Sequence, residues 1–117
     1  MNLNLVKKDG VLLARIDETQ VGAGVADELR SRIQAELPEA DAQLAVDLTK
    51  VDFMDSSCLG VLVSLLKAVR PGGDLVLFGM RPSVAEILRL THLDAVFACE
   101  EEEAAALAHF AADSPAS

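Results

Sequence analysis

The stretch that decides the fold runs from Val51 to Val69 and reads VDFMDSSCLGVLVSLLKAV. It opens as a short apolar segment, passes through an aspartate and two serines, and continues as an apolar run with helical spacing. Aspartate and serine are favoured N-caps because their side-chain oxygens accept the backbone N–H groups that a first helical turn leaves open. We therefore predict a buried strand that turns into a helix at Asp55-Ser56-Ser57 and ends near Val69.

The predicted helix carries more apolar surface than packing against one sheet requires. Its expected core stripe consists of Leu59, Leu62, Val63, Leu66 and Val69. A second apolar set, Cys58, Val61 and Leu65, flanks this stripe at about 100° from its centre. Either neighbouring helices cover this flank, or it forms an exposed apolar patch on which a protein docks beside the serines. The sequence leaves both interpretations open.

The segments on either side of this stretch alternate between strand and helix patterns after an opening hairpin. Strands separated by helices imply a sheet that is partly parallel, with right-handed crossovers. We predict an α/β fold with a central mixed sheet of four to five strands and about four helices packed mainly on one face. Before the central stretch we predict a hairpin turning at Asp9-Gly10 with a second strand at 11–16, a helix at about 24–37 that Pro38 stops, and a strand at 44–48. After it we predict a strand at 75–78, a helix ending near Leu90, an edge strand at Val96-Phe97 and a last helix to about Ala112.

Several helix ends are marked by their local chemistry. Residues 71–73, Pro-Gly-Gly, are expected to end the central helix with a loop. Ser83–Glu86 has the spacing of a capping box, which places the N-cap of the next helix at Ser83. The acidic run Glu100–Glu103 suits the positive end of the last helix, although it could also attract a cation or a basic partner. The tail 113–117 is expected to be frayed.

Composition excludes several classes of function. The 117 residues fit one domain that spans 1–117. Aromatic residues make up 3%, with no Trp or Tyr, which argues against base-stacking nucleic-acid modules. The net charge of −9 disfavours DNA and anionic membrane surfaces. We find neither a signal-peptide layout nor an apolar run of membrane-span length, so we expect a cytoplasmic protein without direct membrane insertion.

The sequence offers little support for metal binding or catalysis. The two cysteines and two histidines are scattered, without metal-ligand spacing or a disulfide framework. A serine hydrolase would need His92 or His109 beside Ser56, and neither the Gly-x-Ser-x-Gly pattern nor a phosphate-binding loop is found. We expect no metal, no cofactor and no enzymatic activity.

The serines at the helix start allow two interpretations. In the first, they only cap the helix, which is the more frequent role of such residues. In the second, an exposed hydroxyl accepts a phosphate, which adds about −1.5 to −2 charges beside Asp55. The helix dipole would partly stabilise that charge within the domain, whereas a partner docked over the site would meet a new anion. Modification would then leave the fold intact and break a complex.

Residues 51–62, VDFMDSSCLGVL, resemble the signature of STAS domains related to anti-sigma factor antagonists. The family pattern is an apolar strand end, Asp, Ser, Ser or Thr, Gly, an aliphatic residue, Gly and an apolar helix, and the element order also resembles the family across most of the chain. The resemblance implies a partner switch, in which the unphosphorylated antagonist binds an anti-sigma factor that is also an ATP-dependent serine kinase. The kinase phosphorylates the first serine after the Asp, here Ser56, and a separate phosphatase resets it.

The motif also suggests which residues contact the partner. Asp55, Ser57 and Gly60 match motif positions, and their implied roles are loop shaping and partner contact. The predicted partner-binding set is Asp55, Ser57, Cys58, Gly60, Val61 and Leu65. Cys58 stands where the family usually has Gly, which puts bulk beside Ser56, and a thiol at a helix start could have a depressed pKa.

Other roles remain open at this stage. Residues 17–22 lack the Gly-Glu-Leu-Asp-like stretch that many antagonists carry, so the identity of the partner is open. A similar STAS protein could instead be a non-catalytic subunit on the ATPase of a lipid transporter, or a chemosensory or biofilm signalling protein. The sequence does not decide the oligomeric state.

Overall fold

The computed structural model describes residues 1–38, 41–70 and 72–113, with side chains as far as Ala111. Strands and helices alternate along most of this length. They are β1 (Leu3–Lys8), β2 (Val11–Ile16), β3 (Gln20–Val21), α1 (Ala23–Glu36), β4 (Gln43–Asp47), β5 (Phe53–Met54), α2 (Ser56–Val69), β6 (Asp74–Phe78), α3 (Pro82–Leu90), a 3-10 turn (Leu93–Ala95), β7 (Ala98–Glu100) and α4 (Glu103–Asp113).

Five strands form one mixed sheet in the order β1-β2-β4-β6-β7. The first two are an antiparallel hairpin, and the other neighbours pair in parallel. The hairpin turns at Asp9 and Gly10, which both adopt positive φ, at 54° and 79°. This is the backbone conformation that a tight two-residue hairpin turn requires. The predicted mixed sheet of four to five strands is therefore confirmed, together with its turn.

The sheet separates two apolar cores because successive side chains of a strand point to opposite faces. Along β2, Leu12 and Ala14 face the larger core, which α1, α2 and α3 cover. Leu13 faces the smaller core, which Ala106 and Phe110 of α4 cover. Three helices therefore lie on one face and one on the other, as predicted for helices packed mainly on one face.

Ion pairs fasten the start of α4 to the hairpin. Arg15 contacts Glu103 at 2.6 Å and Asp47 at 3.2 Å, and Lys8 contacts Glu103 at 3.1 Å. The hydrogen bond from Arg15, followed by that from Lys8, lowers the pKa of Glu103. The last carboxylate of the acidic run is therefore used inside the domain, in the first turn of α4.

Two boundary predictions are wrong. Helix α3 begins at Pro82 with Arg81 as its N-cap, and no side-chain cap is formed there, so Ser83 is already a helical residue. Proline is well suited to the first turn because its φ is fixed near the helical value and its missing N–H is not needed. The edge strand forms at Ala98–Glu100 instead of Val96-Phe97, because Phe97 is buried in the larger core.

The C-terminal end of α4 differs from expectation, whereas that of α2 does not. Asp113, the first residue of the tail expected to fray, belongs to α4, and residues 114–117 lie outside the described residues. Pro71 of the predicted stop signal also lies outside them, whereas Gly72 has φ +100° and Gly73 follows it into β6. Helix α2 ends at Val69, as predicted.

Gly73 offers a test of this junction. Its N–H donates to the carbonyl oxygen of Val69 at 2.8 Å, and a Cβ on Gly73 would overlap the carbonyl oxygen of Ala42. We expect Gly73→Ala to lower the free energy of unfolding by about 2 kcal/mol or more, because backbone atoms must move apart. Urea unfolding followed by circular dichroism measures the effect.

Gly24→Ala is the matched control, because Gly24 is a helical glycine where a Cβ would meet nothing within 4 Å. It is expected to be neutral or stabilising by up to about 1 kcal/mol. Equal losses in the two variants would mean that close packing at Gly73 is unimportant.

Candidate functional site

The segment before Ser56 is held by a second, small sheet. Strand β5 pairs in parallel with β3, matching Gln20 to Phe53 and Val21 to Met54. The backbone N–H groups of Asp52 and Phe53 both donate to the carbonyl oxygen of Thr19, at 2.7 and 3.1 Å. The sequence predicts that this region is the end of a buried strand that leads into the helix. The structure instead gives it a partner of its own, which fixes the chain immediately before α2.

Asp55 caps two helices with one carboxylate. Its Oδ1 accepts the backbone N–H of Cys58 at 3.1 Å, which is the N-cap bond of α2. Its Oδ2 accepts the backbone N–H of Ala23 at 2.8 Å, in the first turn of α1. The N-cap of α1 is Gly22, which has no side chain to perform this role. The predicted helix start at Asp55-Ser56-Ser57 is thus confirmed, and Asp55 is the capping residue.

Ser56, Ser57 and Gly60 are exposed on the first turns of α2. A Cβ placed on Gly60 would meet nothing within 4 Å, so the fold itself does not require a glycine there. Together with parts of α1, this side of α2 forms an open groove lined by Ala26, Asp27, Arg30, Ser57, Gly60, Val61 and Ser64. The structure therefore brings together the hydroxyls and the glycine that the motif singled out.

The other three residues of the predicted partner-binding set are buried, although Val61 also contributes to the lining of the groove. Cys58 and Leu65 are 0% exposed and Val61 is 7% exposed. Helix α1 packs directly against α2 and covers this flank. Of the two interpretations left open by the sequence, coverage by a neighbouring helix is correct. The alternative interpretation, in which Cys58, Val61 and Leu65 form an exposed docking patch, is contradicted by their burial.

Cys58 points into the domain and away from the surface at Ser56. Its Sγ donates to the carbonyl oxygen of Gly22 at 3.3 Å. Burial, followed by the nearby Asp55 carboxylate, raises the pKa of the Cys58 thiol to about 11. The hypothesis of a depressed pKa is therefore wrong, because desolvation and a neighbouring negative charge both disfavour the thiolate at this helix start.

The histidines do not join the serines. His109 on α4 pairs its Nε2 with Asp74 at 3.0 Å, on the sheet face opposite α2. His92 follows the last turn of α3, whereas the beginning of α3 is the end that contacts the segment before Ser56, through Arg81 and Asp52 at 2.8 Å. Within residues 1–38, 41–70 and 72–113, no cluster of three or more His, Cys, Asp or Glu side chains could hold a metal ion, and no helix is long and apolar enough to span a membrane.

Phe53 is the surface residue that sequence reasoning missed. Its side chain is 49% exposed, whereas the other three phenylalanines are at most 4% exposed. Met54, its neighbour in β5, faces the core, so Phe53 faces outward. A two-residue strand is too short to show this alternation as a periodic pattern. The available signal was the rarity of aromatic residues in the chain.

The double cap can be tested by removing the carboxylate. We expect Asp55→Ala to lower the free energy of unfolding by about 2 kcal/mol, the upper end of the range for one lost cap, because two helix starts lose their acceptor. Hydrogen exchange should accelerate at the amides of both Ala23 and Cys58. Ser56→Ala leaves the cap in place and serves as the control. Faster exchange at Cys58 alone would show that the bond to α1 contributes nothing.

Known proteins resemble this chain along nearly its whole length. The family model described as STAS domain matches residues 2–106. A Bordetella bronchiseptica protein named as an anti-sigma factor antagonist, BtrV, is 28% identical over 111 residues, which cover 94% of this chain and 95% of that protein. Among solved structures, an anti-sigma-factor antagonist (STAS) domain protein from Planctomyces limnophilus superimposes with a TM-score of 0.87 at 22% identity, over 93% of this chain and 97% of its own.

The anti-sigma factor antagonist SpoIIAA from Bacillus shares the fold as well. Its unphosphorylated form gives a TM-score of 0.79 at 14% identity, over 97% of this chain and 100% of that chain. Its phosphorylated form gives a TM-score of 0.68 at 14% identity, over 92% and 98%. These structures establish a common architecture, and the family match covers every element from β1 to the first turn of α4. The chain belongs to the STAS domain family.

Proposed function

We propose that this protein is a non-enzymatic anti-sigma factor antagonist whose binding is controlled by phosphorylation of Ser56. The observation that carries the proposal is the exposed Ser56 hydroxyl at the start of α2, next to an Asp55 carboxylate that already caps the helix. In the unphosphorylated state the chain binds an anti-sigma factor that is also a serine kinase, in the cytoplasm. A relative named as an anti-sigma factor antagonist, and the two solved forms of SpoIIAA, support this proposal.

The chemistry of the switch belongs to the kinase, and Ser56 is its substrate. The Ser56 hydroxyl oxygen bonds to the γ-phosphorus of ATP, the bond from that phosphorus to the bridging oxygen breaks, and ADP leaves. The hydroxyl proton passes to a base on the kinase. Hydrolysis of the phosphoserine by a separate phosphatase restores the hydroxyl and releases inorganic phosphate.

The added charge acts on the complex more strongly than on the fold. A phosphate on Ser56 lies at the N-terminus of α2, where the helix dipole favours an anion. The N–H of Cys58 already donates to Asp55, so this amide is not free to bind the phosphate. In the complex, the kinase must hold its nucleotide phosphates over Ser56. After transfer, like charges face each other there, which favours release.

Four versions of the chain used as baits in native cell lysate test the switch. Wild type and Ser56→Ala are expected to recover a serine-kinase-type ATPase, and Ser56→Asp is expected to recover about tenfold less because of like-charge repulsion. Ser31→Asp is the matched control, since Ser31 is an exposed serine on α1. It lies roughly 12 Å along the helix from Ala23, the residue of α1 that Asp55 contacts beside Ser56. The recovered ATPase with ATP should phosphorylate wild type at Ser56, as located by mass spectrometry, and leave Ser56→Ala unmodified.

Identical recovery by all four baits would overturn the proposal. If the recovered complex were a membrane transporter ATPase that does not respond to the Ser56 changes, the role of a non-catalytic transporter subunit would replace it. A chemosensory or biofilm signalling assembly recovered in a Ser56-dependent manner would keep the switch and change only the pathway.

A substitution at Gly60 is expected to affect kinase binding and the stability of the fold in opposite directions. Open space around its Cβ position means that Gly60→Ala should preserve the domain and stabilise α2 by up to about 1 kcal/mol. The same methyl group stands on the groove surface beside Ser57 and should weaken kinase binding at least about fivefold if the partner approaches closely. Urea unfolding and calorimetric titration with the purified kinase measure the two effects. A variant that is stabilised and binds normally would remove Gly60 from the contact surface.

A further inference from the structure

An aromatic side chain stands half exposed beside the proposed switch. Phe53 is 49% exposed in a chain whose other phenylalanines, Phe78, Phe97 and Phe110, are buried. Large aromatic side chains dominate the energetics of protein interfaces when they become buried. About half of the Phe53 side chain therefore stays in contact with water in the isolated domain, and burial of that half against a partner would be favourable.

The position of Phe53 is fixed by the backbone. Its N–H donates to the carbonyl oxygen of Thr19, and two residues later the N–H of Asp55 donates to the carbonyl oxygen of Val21 at 3.1 Å. Helix α3 contacts β5 from another side, and Arg81 at its start bonds both the Thr49 carbonyl oxygen and the Asp52 carboxylate at 2.8 Å. A residue held in this way presents its side chain without the entropy cost of ordering a loop on binding.

Phe53 lies within the area that a partner on Ser56 would cover. Three residues of chain separate their Cα atoms by no more than about 11 Å. A standard interface buries about 800 Å² on each protein, which is a patch reaching about 16 Å from its centre. A kinase interface of ordinary size that is centred on the Ser56 hydroxyl therefore extends far enough to cover Phe53.

The charge around Phe53 favours a basic partner surface. Five carboxylates and three cations, a net charge of −2, are found in segments 17–27 and 49–57 together with Arg30 and Arg81. Each cation pairs with one carboxylate: Lys50 with Asp17 at 3.0 Å, Arg81 with Asp52 at 2.8 Å and Arg30 with Asp27 at 3.4 Å. The two remaining carboxylates, Glu18 and Asp55, accept backbone N–H groups. These segments therefore carry more negative than positive charge, as does the whole chain, whose net charge is −9.

We infer that Phe53 is the apolar anchor of the kinase interface, and that the kinase receives it in an apolar pocket rimmed by lysine or arginine. The inference rests on the proposed function and names the chemistry of the partner at that site. The ring supplies the buried apolar contact, and the surrounding carboxylates supply long-range attraction to the basic rim. Ser56 remains the position at which phosphate interrupts this contact.

Calorimetric titration with the ATPase recovered by the wild-type bait, held in a non-hydrolysable ATP analogue, tests the anchor. Phe53→Ala should weaken binding about 30-fold or more, as expected for a central aromatic contact. Leu90→Ala is the matched control, since Leu90 is 65% exposed at the last residue of α3, and it should change affinity by less than about twofold. Urea unfolding should give Phe53→Ala a midpoint close to that of wild type, which excludes misfolding as the cause.

The outcomes separate the two proposals. If Ser56→Asp loses the kinase and Phe53→Ala binds like wild type, the anchor is overturned and the switch stands. If wild type neither binds nor is phosphorylated by any ATPase, the switch fails and the anchor fails with it. Wild-type affinity that is unchanged between 50 and 300 mM salt, roughly a 2.4-fold change in Debye length, would overturn the basic rim. A dimer in sedimentation that Phe53→Ala abolishes would assign the ring to a second copy of the chain and overturn the kinase as occupant.

Discussion

The two hydrogen bonds of the Asp55 carboxylate set the geometry on which the rest of the region around Ser56 depends. One oxygen is committed to α2 three residues ahead, and the other to α1, 32 residues back along the chain. A carboxylate can satisfy both because it has two acceptor oxygens that point in different directions. The first turns of the two helices are thereby held in a fixed relation. The hydroxyls of Ser56 and Ser57 are left facing solvent, since the capping role that serine often takes is already filled.

The substitution of cysteine for the motif glycine is accommodated by this same arrangement. Cys58 follows the exposed serines but faces the interior, where its thiol bonds the Gly22 carbonyl oxygen at 3.3 Å. Its bulk is added to the contact between α1 and α2 and does not alter the surface at Ser56. Gly60, the next glycine of the motif, is the reverse case, because the surrounding structure has room for a side chain there. The residue at position 58 is thus constrained by packing inside the domain, whereas packing does not constrain the residue at position 60.

The sequence predicts features of this fold that depend on local chemistry. The hairpin at Asp9-Gly10 and the helix start at Asp55 follow from residue types that only a few backbone conformations suit. The bond from Asp55 to Ala23 could not be predicted, because it joins distant residues and the N-cap of α1 is a glycine that gives no side-chain signal. Burial of Val61 and Leu65 depends on where α1 lies, which no pattern within α2 encodes. The outward direction of Phe53 depends on the pairing of two strands of two residues each.

The division of the domain by its sheet has a consequence for the order of assembly. Every residue named above in the region around Ser56, from Val21 and Asp55 to Arg81, precedes Glu103 in the chain. Helix α4 instead docks onto side chains of strands that are already paired, and its leading contact joins Arg15 to a residue 88 positions later. During synthesis from the N-terminus, every residue of the face that carries Ser56 is therefore made before α4, which covers the opposite face of the sheet.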